Sequence, residues 1–426
     1  MSYQLDVFLA ATALVCYAAY AISRWYLAQG GKGTGASSAD KEGLSKEQPR
    51  MPPPRPDTTL TPETLDGHSA RDHIFANKTI RYPYFQTMAH QPMLPEHWIE
   101  PDHFYRADLA YKKQLVETQG AVVCDTLPCV DEACGELLEL LSQWLVTRYP
   151  RLFQWIEPGR IIHNLVTEER LDLYNPNGQL KSGTSALRVV SGLVQDDFLI
   201  AAPLQDGSWI CAGGLVAFPG FYLLSDKIGL SLHDTHSPVP DFNEKLLKSV
   251  ERSFTRMAAD KPFERTSWGF TEPDDDLFWT PLAGPLPLHV GKNGARAQPV
   301  RPCHLQGRAP EAAQTEDASK LLLRLDHQTF VKMPRTGVIF FGVHPMRRPL
   351  SALEHSPLLP QLLLKIHQDS ADRFLKYKDA PSYQNSVLPY LESLHRKQLE
   401  SGVITEEDAA DPASFRRFND EAALDT

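Results

Sequence analysis

Two histidines stand three residues apart in HDTHSPVP, residues 233–240. The two prolines of this stretch disfavour a regular helix, so we expect a rigid, extended loop. Histidine commonly binds haem iron and other borderline metals, and an axial ligand must be fixed in direction. His236 is therefore a candidate metal ligand and His233 a weaker one, with Asp234 able to orient either ring. The alternative is that His236 only caps a turn or the start of the next helix.

Two other stretches carry residues that could line a pocket. In LLLRLDHQTFVKM, strand alternation places His327 on the more apolar face and Gln328 on the opposite face. In ERTSWGF, Arg265 stands near Trp268, and an arginine near an aromatic ring often binds a carboxylate or stacks on the ring. Each stretch also has a plainer interpretation, with His327 as a satisfied core histidine and Arg265 in a surface salt bridge.

The elements that must position these residues are predicted from local patterns. Apolar residues at helical spacing indicate a helix over Cys134–Tyr149. DDFLIAAPL, the turn QDGS and WICAGGLVAF indicate a β-hairpin, because Asp-Gly is a strong turn signal. LLLRLDHQTFVKM, PRTG and VIFFGVH indicate a second hairpin.

Helices are also predicted after HDTHSPVP and near the end of the chain. Asp241 and Glu244 have the spacing of a capping box at the start of a helix. Two helical segments, around 359–377 and 384–399, close the chain. We therefore predict an α+β domain, in which helices pack on an antiparallel sheet.

Composition excludes several classes of function. The chain has 426 residues and a net charge of −10, which argues against a nucleic-acid partner. Its six cysteines form no CxxC pair, as is typical of free thiols in a reducing compartment. The sequence has no GxSxG elbow, Walker loop, HExxH motif or dinucleotide fingerprint. A redox enzyme of this kind would therefore receive its electrons from another protein.

The N-terminus carries a membrane signal. The uncharged run Val7–Ile22, with further apolar residues after it, approaches the ~20 residues that span a bilayer. A cleaved signal peptide is the rival interpretation, but only Asp6 is charged before the run, whereas Arg24 and Lys32 follow it. The positive-inside rule then places the main domain in the cytosol. We predict four regions: a transmembrane anchor (1–28), a disordered linker (29–78), a folded domain (79–398) and an acidic tail (399–426).

In chain order, six stretches resemble the haem-dependent oxidative N-demethylase alpha-subunit-like family. As a set, DKIG, the histidine loop before Pro-Val-Pro and the later HQTF-x-x-x-PRTG are specific. The family often has Glu-Arg-Gln-Thr where this chain has Asp326-His327-Gln328-Thr329, which changes the charge of the pocket. The matching stretches are 95–116, 193–203, 216–246, 264–270, 323–344 and 372–391.

The resemblance implies a haem b held in a PAS-like fold, an antiparallel sheet flanked by helices. It implies His236 as the iron ligand and Arg265 as a contact of a haem propionate or of the substrate, with His233 and Trp268 near the cofactor. His327 and Gln328, again with Arg265, would be pocket residues with catalytic roles. It also implies O2 as oxidant, a small amine that loses a methyl group, and electrons from a separate flavin or iron–sulfur partner.

The anchor and linker lie outside the shared region. They indicate a membrane-associated eukaryotic branch, single-pass in the endoplasmic reticulum, whose substrate need not be dimethylamine. Three functions stay open: a haem-dependent oxidase or monooxygenase, a non-catalytic haem sensor or carrier, and a membrane-tethered interaction domain that has lost haem.

Overall fold

The computed structural model describes residues 49–71, 80, 87–220, 222–271 and 317–411. In these residues the strands are β1 (Gln91–Pro92), β2 (Cys124–Thr126), β3 (Phe153–Glu157), β4 (Ile161–Asn164), β5 (Glu169–Asp172), β6 (Asp197–Pro203), β7 (Trp209–Leu215), β8 (Phe263–Thr271), β9 (Leu322–Lys332) and β10 (Ile339–Pro349). Seven of these strands form one antiparallel sheet in the order β1-β8-β9-β10-β6-β7-β2, and β3-β4-β5 form a smaller one. The prediction of an α+β domain with an antiparallel sheet is confirmed.

Helices precede, interrupt and follow the strands. They are α1 (Pro62–Leu65), α2 (Tyr105–Gln119), α3 (Asp131–Arg148), α4 (Gly183–Val190), α5 (Leu232–Thr235), α6 (Leu247–Arg256), α7 (Leu359–Asp369), α8 (Asp372–Tyr377), α9 (Ala380–Ser401) and α10 (Glu406–Ala410). A π-helical turn, Phe242–Leu246, leads into α6. The predicted helix over Cys134–Tyr149 is α3, and the last two predicted segments correspond to α7 with α8 and to α9.

Both predicted hairpins are present. β6 pairs with β7 across a turn in which Gly207 has a φ of +86°, a conformation that favours glycine. β9 pairs with β10 over their full lengths, with His327 opposite His344 and Gln328 opposite Val343. On the other edge of β9, Gln328 is opposite Arg265 of β8.

Strand alternation gives the large sheet two faces. The network face carries His327 and His344. Helices cover this face: Leu323 shares a buried cluster with Leu363 of α7, and Phe340 shares another with Leu141 of α3. The cavity face carries Arg265, Gln328, Phe330 and Phe341, and it is covered by residues 222–257.

The prediction of an extended histidine loop is wrong. α5 includes His233, and His236 is the C-cap residue of this helix. The Ser231 hydroxyl caps α5 by accepting a hydrogen bond from the amide of Asp234 at 3.1 Å. The prolines follow the end of α5 and therefore do not interrupt the helix.

The predicted capping box at Asp241 is also wrong. Asp241 has a φ of +62°, and its side chain makes no capping hydrogen bond. Its carboxylate instead contacts Lys245 and Arg373, each at 2.7 Å. These two cations draw the carboxylate away from the helix start.

Residues 49–71 of the predicted disordered linker have a defined structure. Met51, Leu60 and Leu65 are buried in the main core, and the backbone amide of Asp57 donates to the carbonyl of Arg148. These buried side chains and the contact with the end of α3 fix this proline-rich segment against the core.

The ends of the chain can be compared with the predictions only in part. The predicted anchor, residues 1–28, lies outside the described residues. Within the described ranges no helix is both long and apolar enough to cross a membrane. The predicted acidic tail includes the end of α9 and all of α10, and residues 412–426 lie outside the described part.

Candidate functional site

A cavity of about 320 Å³ lies between the cavity face of the sheet and residues 222–257. This volume is typical of small-molecule sites, which span about 300–1,000 Å³. The apolar part of its lining, called the apolar wall, consists of Leu232, Val239, Phe242, Val250, Phe254 and Phe330. The polar part, called the polar wall, consists of Lys227, Arg265, Ser267, Arg324, Asp326, Gln328 and Lys378. The cavity therefore suits a largely apolar ligand that carries a few polar groups.

His236 lines this cavity with its ring held from two sides. Its Nδ1 donates to the carbonyl of Leu232 at 2.9 Å, and its ring stacks on Phe242 with centroids 4.0 Å apart. Because a carbonyl only accepts, the proton lies on Nδ1 and the lone pair on Nε2. Backbone carbonyls orient metal-binding histidines in this way.

The His236 ring is also neutral. Burial lowers its pKa to about 4, and the positive charges of Lys227 and Arg265 act in the same direction. A histidine binds a metal through its neutral form. The tautomer, orientation and neutral charge of His236 therefore suit a metal ligand.

Cys211 also lines the cavity and carries a soft ligand atom. Burial raises the pKa of its thiol to about 11, so the thiolate needed for metal binding is disfavoured. His236 is the better candidate of the two.

The polar wall contains a short hydrogen-bonded chain across two strands. The Gln328 side chain donates to the Ser267 hydroxyl at 3.2 Å, and this hydroxyl donates to Asp326 at 3.3 Å. Arg324 contacts the same carboxylate at 2.7 Å. Gln328 and Arg265 both line the cavity.

His327 does not line the cavity, because it points from the opposite face of β9. Its Nε2 lies 2.8 Å from Glu264 and its Nδ1 lies 3.4 Å from Glu100. Burial alone would raise the pKa of Glu264, but hydrogen bonds with His327 and His97 lower it far below the usual range. The predicted pairing of His327 with Gln328 in one pocket is therefore wrong, and His327 belongs to the plainer alternative of a satisfied core histidine.

His233 and Trp268 are also displaced from their predicted positions. The His233 ring is exposed, contacts Asp234 at 3.0 Å and does not line the cavity. Trp268 forms part of the cavity wall, but its ring packs with Phe270 and His367. Arg265 and Trp268 are three residues apart on a strand, so their side chains leave opposite faces.

Sequence reasoning missed Lys378, Lys227 and His90, all of which line the cavity. Lys378 lies in the resembling stretch 372–391, but nothing in its local sequence indicates burial. Lys227 binds the carbonyl of Thr235 at 2.7 Å, which ties the residues before α5 to the end of that helix. These positions are brought to the cavity only by tertiary packing.

A comparison with known families matches this chain to one of them. The family described as haem-dependent oxidative N-demethylase, alpha subunit-like, matches residues 89–388, which is more than half of the chain. The matched range contains His236, Arg265, Gln328 and Lys378, and it contains all the strands of the large sheet.

Proposed function

The chain belongs to the haem-dependent oxidative N-demethylase alpha subunit-like family, and on this basis we propose that it binds haem in its cavity and oxidises a small amine there. The observation that carries the proposal is His236. It is a neutral histidine on the cavity wall, its Nδ1 donates to the Leu232 carbonyl, and its Nε2 lone pair is available to a metal.

The residues of the cavity fit a haem. His236 would bind the iron through Nε2, and the stacked ring of Phe242 would hold the imidazole plane. The apolar wall would contact the porphyrin, and cations on the polar wall would contact its carboxylates. These roles are supported by the chemistry of the lining.

Bound haem would supply the oxygen chemistry, with O2 as oxidant. The protein would hold the cofactor and exclude water through Val250, Phe254 and Phe330. Ser267 and Gln328 would present polar atoms that orient the substrate next to the cofactor. His327, which is bound to two glutamates on the other face, would contribute to stability and not to substrate contact.

Finer points of the proposal come from the sequence and the family. We propose haem b as the cofactor, a PAS-like fold, and electrons from a separate flavin or iron–sulfur protein, which the lack of a dinucleotide motif supports. We also propose that residues 1–28 anchor the protein as a single-pass protein of the endoplasmic reticulum, in a membrane-associated eukaryotic branch. The main domain would then face the cytosol, where the anchor keeps it near a membrane-bound reductase.

Absorption spectroscopy tests the proposed cofactor. The full chain is produced with ample haem precursor, and spectra are recorded oxidised, reduced, and reduced with carbon monoxide. We expect a stoichiometric Soret band that shifts with carbon monoxide. Folded protein without a Soret band contradicts both the oxidase and a haem sensor, and it leaves the interaction domain. Haem-loaded protein that consumes no reductant with a reductase and any small N-methylamine favours the sensor or carrier.

A further inference from the structure

Lys378 is a buried cation on the polar wall of the cavity. It follows α8, and only 8% of its surface is exposed. Its ammonium group donates a hydrogen bond to the carbonyl of Trp268 and lies 4.7 Å from the centroid of that indole ring. Both contacts fix a side chain that also lines the cavity.

No carboxylate among the described residues forms an ion pair with Lys378. The acid with an electrostatic influence on it is Asp326, and this carboxylate already contacts Arg324 at 2.7 Å and Ser267 at 3.3 Å. A buried ammonium group without a close counter-ion is unfavourable, unless a ligand supplies the negative charge.

The surroundings of Lys378 further favour the binding of an anion. Burial lowers its pKa to about 8, and the positive charge of Arg265 acts in the same direction. With Lys227 and Arg324, the described part of the cavity lining contains four cationic side chains. A bound carboxylate would relieve this repulsion, whereas a bound cation would increase it.

We propose that Lys378, with Arg265, binds a carboxylate of the ligand in the cavity. The inference rests on the proposed function, because it takes the cavity as the ligand site. The carboxylate has two possible sources, a haem propionate or a carboxylate on the substrate. In the second case the preferred substrates are N-methylated amino acids, and simple amines such as dimethylamine bind less well.

A matched control exists on β9. Lys332 is also partly buried, donates to a backbone carbonyl, that of Phe254 at 3.3 Å, and lies 5.9 Å from the centroid of a tryptophan ring, that of Trp209. Unlike Lys378, it does not line the cavity. Lys332→Met therefore reports the loss of a lysine of this kind without the loss of the proposed site.

The first measurement compares haem b with haem dimethyl ester, in which both propionates are esterified. Soret titrations of the haem-stripped full chain give the affinity of each variant. If Lys378 binds a propionate, Lys378→Met weakens haem b by about 10-fold or more and leaves the ester unchanged. Lys378→Arg, which keeps the charge, restores most of the affinity for haem b.

The second measurement uses the haem-loaded protein. N-methylglycine and dimethylamine are titrated while the Soret band is followed. If Lys378 binds a substrate carboxylate, Lys378→Met binds haem normally but weakens N-methylglycine by about 10-fold or more, with no loss for dimethylamine. The proposal is overturned when Lys378→Met matches Lys332→Met in both measurements. If Lys378→Met does not fold by circular dichroism, Lys378→Gln replaces it with the same expectations.

A haem-free measurement separates this inference from the proposed function. If the wild type shows no Soret band, the proposed function fails, and thermal unfolding is followed with octanoate and with octanol. Octanoate that stabilises the wild type but not Lys378→Met supports the carboxylate site, with octanol as the uncharged reference. An equal response of both proteins to octanoate overturns it.

Discussion

His236 and His344 lie on opposite sides of one sheet and differ in charge. Burial lowers the pKa of His236 to about 4, so its ring is neutral. Burial acts in the same direction on His344, but Asp102 and Asp196, each 3.5 Å from its ring, raise its pKa to about 10. Neighbouring charges therefore decide what a buried histidine can do: His344 is a fixed cation, whereas His236 keeps a lone pair for a ligand.

The difference extends to other charged groups. Away from the cavity, opposite charges form a network of close contacts: Arg347 binds Asp108 at 2.7 Å, and Lys112 lies 3.2 Å from Asp197. On the cavity side, Lys378 has a carbonyl partner and no carboxylate among the described residues. We infer that the network stabilises the fold and that the cavity depends on a ligand for its missing charge.

The largest effect on stability is expected at Lys112, which has no exposed surface. Its ammonium donates to the carbonyls of Val194, Gln195 and Asp196, at 3.3, 2.8 and 2.6 Å. Lys112→Met leaves Asp197 buried without its cation, so the free energy of unfolding should fall by about 3–5 kcal/mol. Urea unfolding of the variant and the wild type measures this difference in the free energy of unfolding.

The neighbouring Lys113 is the control for that variant. It is exposed and contacts Glu169 at 2.5 Å, so Lys113→Met should cost about 0–1 kcal/mol. Equal losses in the two variants would mean that the network adds no stability of its own.

The next effect is a pH dependence from His344. Its folded pKa lies above the ordinary 6.5, so its contribution to stability is complete below pH 6.5 and is lost as the pH rises to about 10. The loss should be on the order of 3 kcal/mol. Urea unfolding across this window should show a steeper decline for the wild type than for His344→Gln. Parallel curves for the two proteins would contradict the charged form of His344.

A smaller effect separates two adjacent residues on opposite faces. His327→Gln removes the contacts with Glu264 and Glu100, so the free energy of unfolding should fall by about 1.5–3 kcal/mol. Its Soret band should match that of the wild type. Gln328→Leu should change stability by less than about 1.5 kcal/mol but alter the Soret band or ligand affinity. A change in the Soret band for His327→Gln but not for Gln328→Leu would contradict the assignment of the ligand site to the cavity face.

Local patterns were sufficient for the hairpins and for α3. Strand alternation and the Asp206-Gly207 turn are contained within a few residues, and so is the helical spacing after Cys134. Alternation also placed His327 and Gln328 on opposite faces. It could not tell which face holds the cavity, because helices cover one face of the sheet and residues 222–257 cover the other.

Long-range packing decided the features that the sequence did not reveal. Lys378 is separated by more than a hundred residues from Trp268, whose carbonyl it binds, and by more still from His236. Met51, Leu60 and Leu65 have no regular period, so the segment they anchor resembled a linker. His236 was identified from a stiff loop, yet the support is a helical turn, a carbonyl and a stacked ring.

The most direct test of haem binding by His236 removes the imidazole side chain and then supplies free imidazole. His236→Gly and His233→Gly are produced with ample haem precursor, and their Soret bands are recorded before and after addition of imidazole. We expect His236→Gly to lose or shift the band and imidazole to restore it, while His233→Gly matches the wild type. A His236→Gly spectrum identical to that of the wild type would contradict the assignment of His236 as the haem ligand.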